Sequence, residues 1–137
     1  MAEAKTKKTA ESVTAFLKKA AKGDRLADCD TLVKIMQTAT GAKAVMWGPA
    51  IVGFDTYAIK YADGRTADWP IAAFSPRSTA LVIYGLRAAP RFASLVKTLG
   101  KHKQAGGCTH IKSLADVDVK VLAELVIESV KARRARR

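Results

Sequence analysis

The sequence predicts an α+β domain, an antiparallel sheet of about four or more strands with helices packed on one face. Three observations carry that expectation: helical apolar periodicity near both ends, strict alternation in the middle, and turn residues between the segments. The chain has 137 residues, of which 49% are hydrophobic, enough for one domain with a real core.

Val13, Phe16, Leu17, Ala20 and Ala21 follow the spacing of an amphipathic helix, which Gly23 ends. A second helix is expected from Asp24, burying Leu26, Cys29, Leu32, Val33 and Met36 and stopping at Gly41. Met46-Trp47-Gly48-Pro49 marks the change from helical to extended structure. Tyr57, Ile59 and Tyr61 alternate with Thr56, Ala58 and Lys60, and Asp63-Gly64 supplies hairpin-turn chemistry. Trp69 to Phe74 reads as the returning strand, with Pro70 at its start or on an edge. Ser75-Pro76-Arg77-Ser78 then reads as a turn and Ala80 to Leu86 as the third strand of a meander. Pro90 suits the first turn of a helix whose buried face is Phe92, Leu95, Val96 and Leu99, closed by Gly100. After a loop, Cys108 to Lys112 is a short strand, and Ser113-Leu114-Ala115-Asp116 resembles a capping box that opens a last helix.

Lys and Arg outnumber Asp and Glu by 24 to 12, and seven of the twelve excess charges fall in residues 1–8 and 131–137. The expected organisation is a basic tail over residues 1–11, a domain over 12–130 and a basic tail over 131–137. Such tails could contact nucleic acid or anionic lipid, but with no aromatic residues interleaved with the charge they read first as solvated, frayed ends that aid solubility. Cys29 and Cys108 lie far apart and in no C-x-x-C pair, which speaks against a zinc module and a disulfide-stapled secreted fold. Lys5, Lys7 and Lys8 precede no apolar run, so no signal peptide is read there, and no stretch approaches a membrane span. A cytoplasmic protein without a membrane partner is the expectation.

The segment richest in chemistry is Gly100-Lys101-His102-Lys103, leading through Gly106-Gly107 to Cys108. Lys101, His102, Lys103 and Lys112, with Arg77 joining from the sheet, form a candidate site for a small anionic ligand; the alternative is a capped helix end and a solvated loop. The order of a P-loop is absent. Trp47, Tyr57 and Cys108 are candidate pocket-lining residues, with Tyr61 and Trp69 as further aromatics that equally suit cross-strand packing. His102, Cys108 and His110 suggest a metal, but neighbouring lysines repel a dication and no carboxylate lies in the loop, so no metal site is assigned. Cys108 as a nucleophile with a histidine base is set against a structural cysteine. Asp24, Asp28 and Asp30 suit a helix first turn better than a hard cation. No paired carboxylates, Ser-His-Asp set or Gly-x-Ser-x-Gly elbow stands out, so catalytic residues and a cofactor are left unassigned.

Met46-Trp47-Gly48-Pro49-Ala50-Ile51-Val52-Gly53-Phe54, Phe74-Ser75-Pro76-Arg77, Leu99-Gly100-Lys101-His102-Lys103, Cys108, Ile111-Lys112, Leu114 and Asp116-Val117-Asp118 together resemble the YdhG-like domain family. The resemblance spans roughly residues 12–130, with the motifs in matching order. It implies helices against an antiparallel sheet and a function mostly unassigned, one branch being described as a frataxin-like intracellular iron chaperone. Ser78 stands where the family usually has Lys, Gln104-Ala105-Gly106-Gly107 replaces a more basic loop, and Asp55 stands where Gly is usual. The function expected is a non-enzymatic anion-binding domain, with iron delivery, or nucleic-acid binding through the tails, as the alternatives.

Overall fold

The computed structural model describes residues 12–135. The expected 1–11 tail, together with Arg136 and Arg137, lies outside them.

Helix α1 (Val13–Ala20) starts where the Ser12 hydroxyl accepts from Ala15 N at 3.2 Å, and it buries Leu17. Helix α2 (Asp24–Thr40) places Asp24 in its first turn, where the helix dipole favours a negative charge, and buries Cys29, Leu32 and Met36. Strands β1 (Ala44–Trp47) and β2 (Ile51–Phe54) follow as a hairpin. Met46-Trp47-Gly48-Pro49, expected to mark the change from helical to extended structure, is thus the end of β1 and the start of the turn at Gly48-Pro49-Ala50.

The expected three-strand meander is corrected in a second way. Strand β3 (Tyr57–Lys60) pairs with β4 (Thr66–Trp69) in a separate two-stranded sheet, turned at Asp63-Gly64 as expected. Its inner residues Tyr57, Ile59, Ala67 and Trp69 are half-buried, while Ala58, Lys60, Thr66 and Asp68 are exposed. The alternation that predicted the strand therefore belongs to a flap over the main sheet. Pro70 separates β4 from β5 (Ala72–Pro76), which pairs with β6 (Leu81–Tyr84). Strands β7 (Lys103–Ala105) and β8 (Cys108–Ile111) complete a six-stranded sheet in the order β1-β2-β5-β6-β8-β7. Every pairing is antiparallel.

The register puts Met46, Val52, Phe54, Phe74, Leu81, Ile83 and Ile111 on one face, and all are buried in a single core with residues of the helices. Helix α3 (Phe92–Leu99) adds Leu95 and Leu99, and helix α4 (Val119–Arg134) adds Leu122, Leu125, Val126 and Val130. The α+β class with helices on the sheet is therefore as expected. Ser113 caps only a short 3₁₀ turn, Leu114–Asp116; the cap of α4 is Asp118, whose carboxylate accepts from Lys120 N at 2.9 Å and Val121 N at 3.3 Å.

On the opposite face Trp47 is 2% exposed and lies over Gly53. A Cβ at Gly53 would overlap the indole edge and come within 2.8 Å of Pro70 Cβ, so the indole and the proline that follows β4 pack against bare backbone there. No helix among the described residues is long and apolar enough to cross a membrane.

Helix α4 also corrects the expected boundary at residue 130. Lys131, Arg133 and Arg134 are its last turn rather than a tail. Arg133 Nη2 donates to Gly85 O at 2.8 Å and Nη1 to Ile71 O at 3.4 Å, with the guanidinium 5.9 Å from the centre of the Tyr57 ring. Gly85 sits at φ 80°, and a Cβ there would collide with that guanidinium, so both backbone conformation and space call for glycine.

Candidate functional site

The predicted cations converge at one end of the main sheet. Hydrogen bonds from Lys101 N to Asp116 O (3.1 Å) and from Asp118 N to Leu99 O (2.7 Å) tie the end of α3 to the segment before α4. That clasp fixes Lys101 and His102 next to the sheet. Lys103 opens β7 directly opposite His110 on β8, and Lys112 follows β8. Leu81 pairs with Ile111, which brings the preceding Thr79 and Ala80 to the same end. Lys101, His102, Lys103, His110, Lys112 and Asp116 thereby share a cavity of about 330 Å³ whose apolar wall includes Ala80 and Ala105. A cavity of this size suits a small metabolite.

Four of the five expected ligand-binding residues thus line one pocket, contributed by the α3–β7 connection, β7 and the end of β8. The three lysines are exposed and therefore hydrated, while His102 and His110 are half-buried. His102 Nδ1–H donates to Gly100 O at 2.8 Å, which makes Nε2 the lone-pair nitrogen of the neutral ring. Asp116 is the one carboxylate in the lining, against three ammonium groups. His110 and Asp116 are not among the residues expected to bind an anion; register and the clasp give them their place here.

Arg77 is elsewhere. Its backbone N–H donates to Ala80 O at 2.9 Å across the turn, its carbonyl accepts from Arg25 Nη1 at 3.0 Å, and its Nη2 donates to Tyr84 OH at 3.2 Å. It borders the segment that supplies Thr79 and Ala80 without lining the pocket. The three expected pocket-lining residues are also dispersed. Trp47 is packed over Gly53, and Tyr57 lines a different cavity, between flap and sheet. Cys108 pairs with Tyr84 and Ala105 and lines neither cavity.

Burial pushes the Cys108 thiol above its ordinary value, and the Arg77 charge opposes that only in part. A reactive thiolate needs the reverse balance. Cys29 is fully buried, and loss of hydration raises its thiol to about 11, which makes it core. Of the N-terminal acids, Asp28 accepts from Leu114 N at 3.1 Å and so anchors the 3₁₀ turn before α4. Among the described residues no group of three or more His, Cys, Asp or Glu is arranged to hold a metal ion.

Comparison with protein-family models, with curated proteins and with solved structures finds no match to this chain.

Proposed function

We propose that the chain is a non-enzymatic binding domain whose basic pocket receives a small anion. The observation that carries this reading is the convergence of Lys101, His102, Lys103 and Lys112 on one cavity of about 330 Å³. Three ammonium groups facing one space repel each other when it is empty, and an anion reverses the sign of that interaction. The YdhG-like family is the kin proposed for the chain, supported by its motifs standing in matching order.

The test is thermal unfolding in the presence of inorganic phosphate, nucleotides and dicarboxylates. A ligand at a hundred times its Kd adds about 2.7 kcal/mol of stability, a shift readily measured. Stabilisation by one anion class, reduced by Lys103→Ala and by Lys112→Ala, is the expected result. No stabilisation by any of the three classes overturns the reading.

A further inference from the structure

The second cavity is chemically unlike the first. It lies between the flap and the uncovered face of the main sheet, has a volume of about 230 Å³, and is walled by Ile51, Ile59, Pro70, Ile71 and Ala73. Its polar side chains are Tyr57, Trp69, Tyr84 and Arg133, and no carboxylate joins them. Each carries an N–H or O–H that can donate. The Tyr84 oxygen already accepts from Arg77, which leaves its own O–H for another acceptor.

The indole Nε1–H of Trp69 is buried and meets no hydrogen-bond acceptor among the described residues. Buried donors in folded proteins are nearly always paired, so an orphaned one beside a cavity marks a place where an acceptor belongs. Arg133, from the last turn of α4, also lines the cavity. It is held by Gly85 O and Ile71 O, and two of its five N–H groups suffice for those bonds. The flap pairs with no strand of the main sheet, so admitting a ligand beside the indole breaks no hydrogen bond of the six-stranded ladder.

We infer that this cavity binds a small aromatic molecule bearing an acidic or carbonyl oxygen, with the ring between flap and sheet and the oxygen taking the donors of Trp69 and Arg133. The size agrees, because a cavity of roughly 150 Å³ already holds a benzene ring and the remainder takes one small substituent. The polar lining sets the sign of selectivity. With donors and no carboxylate, it favours benzoate over benzylamine, a cation of nearly the same shape.

The two tryptophans give two indole N–H resonances, and Trp69→Phe assigns them. Titration of ¹⁵N-labelled protein with benzoate is expected to move the Trp69 indole resonance saturably, half-complete at about 1 mM or below. The backbone amides of Lys101, Lys103 and Lys112 stay in place. Calorimetry is expected to show benzylamine at least about tenfold weaker, and Trp69→Phe about tenfold weaker for benzoate. Ile59→Trp, which fills the cavity from the flap, abolishes binding and serves as a second variant should Trp69→Phe unfold. An unmoved Trp69 resonance overturns the inference. So does equal affinity for benzylamine, or a shift confined to the lysine segment, which places benzoate in the basic pocket instead.

Discussion

Arg134, at the end of α4, reaches back to Asp55, the residue that turns the chain from β2 into β3, and donates from Nη2 to its carboxylate at 3.0 Å. The same nitrogen donates to Thr40 O in the last turn of α2, where helix carbonyls lack intrahelical partners. One side chain thus joins a helix end to a corner of the sheet. Asp55 is the one non-glycine residue with positive φ among the described residues, at 57°. Its ion pair offsets the conformational cost of a side chain in that backbone region. Asp55→Ala is expected to destabilise by about 2 kcal/mol, combining loss of the half-buried pair with an unfavourable backbone. Asp55→Gly loses the pair but relaxes the backbone, and is expected to cost about half as much. Urea midpoints with unchanged slopes measure both. Equal losses would remove the backbone from the explanation.

The last helix makes a second long-range clasp that depends on pH. Glu128 accepts from the backbone N–H of Arg91 at 3.0 Å and from Arg91 Nε at 2.5 Å, so it caps the start of α3. The backbone hydrogen bond, followed by the guanidinium, holds its carboxyl below the usual carboxylate value. Its folded pKa therefore lies below the unfolded one. The stabilisation is present in full above the unfolded carboxylate range, near pH 4, and fades as pH falls through the folded pKa. Glu128→Gln is expected to lower the urea midpoint at pH 7 and to converge with the wild type toward pH 3. A constant difference across that range would mean that packing rather than charge supplies the effect.

What the sequence reveals depends on how local the cause is. Apolar spacing placed α1, α2 and α3 because a helix's buried face is written in its own residues. Strands β1 and β2 were missed because four residues each, at Ala44–Trp47 and Ile51–Phe54, leave too little room for alternation to show. Strand β7 is three polar-leaning residues, Lys103-Gln104-Ala105, and becomes a strand only through its pairing with β8. The flap alternates as a sheet strand would, and composition cannot say which surface it covers. Charge misled at the other end: Lys131, Arg133 and Arg134 read as a solvated run, whereas Arg133 and Arg134 bond carbonyls 48 to 94 residues away. In the basic pocket the lysines were legible because all three fall between residues 101 and 112, on either side of one hairpin, but Asp116 joins them through a backbone clasp between distant segments.

The two cysteines separate by burial. Cys29 is fully buried, and its thiol, raised to about 11, leaves very little thiolate at neutral pH; Cys108 is half-buried and raised as well. A disulfide-exchange reagent at pH 8 is expected to label one thiol slowly in the native protein and two rapidly in denaturant, with the native site lost in Cys108→Ser. Slow reaction follows because the thiolate is the nucleophile and its fraction sets the rate. Rapid native labelling of Cys108, at the rate of a free thiol or faster, would reopen its role as a nucleophile.

Lysines that serve an anion and lysines that cap a helix respond differently to removal. Lys101 follows Gly100 at the C-terminus of α3, where a cation gains about 0.3–1 kcal/mol from the helix dipole. Lys103 and Lys112 lie beyond that reach, on β7 and after β8. If the cluster is a capped helix with a solvated loop, Lys101→Ala destabilises the protein and the other two variants change nothing. A shared anion site gives another pattern. Without added anion, Lys103→Ala and Lys112→Ala leave stability unchanged or raise it by a few tenths of a kcal/mol, since each relieves repulsion across the pocket. In saturating phosphate each gains about 1 kcal/mol less than the wild type, a several-fold loss of affinity. Urea unfolding of the three variants with and without phosphate separates the two patterns. The decisive quantity is the difference between the two conditions for Lys112→Ala, because Lys112 follows β8 and belongs to no helix C-terminus.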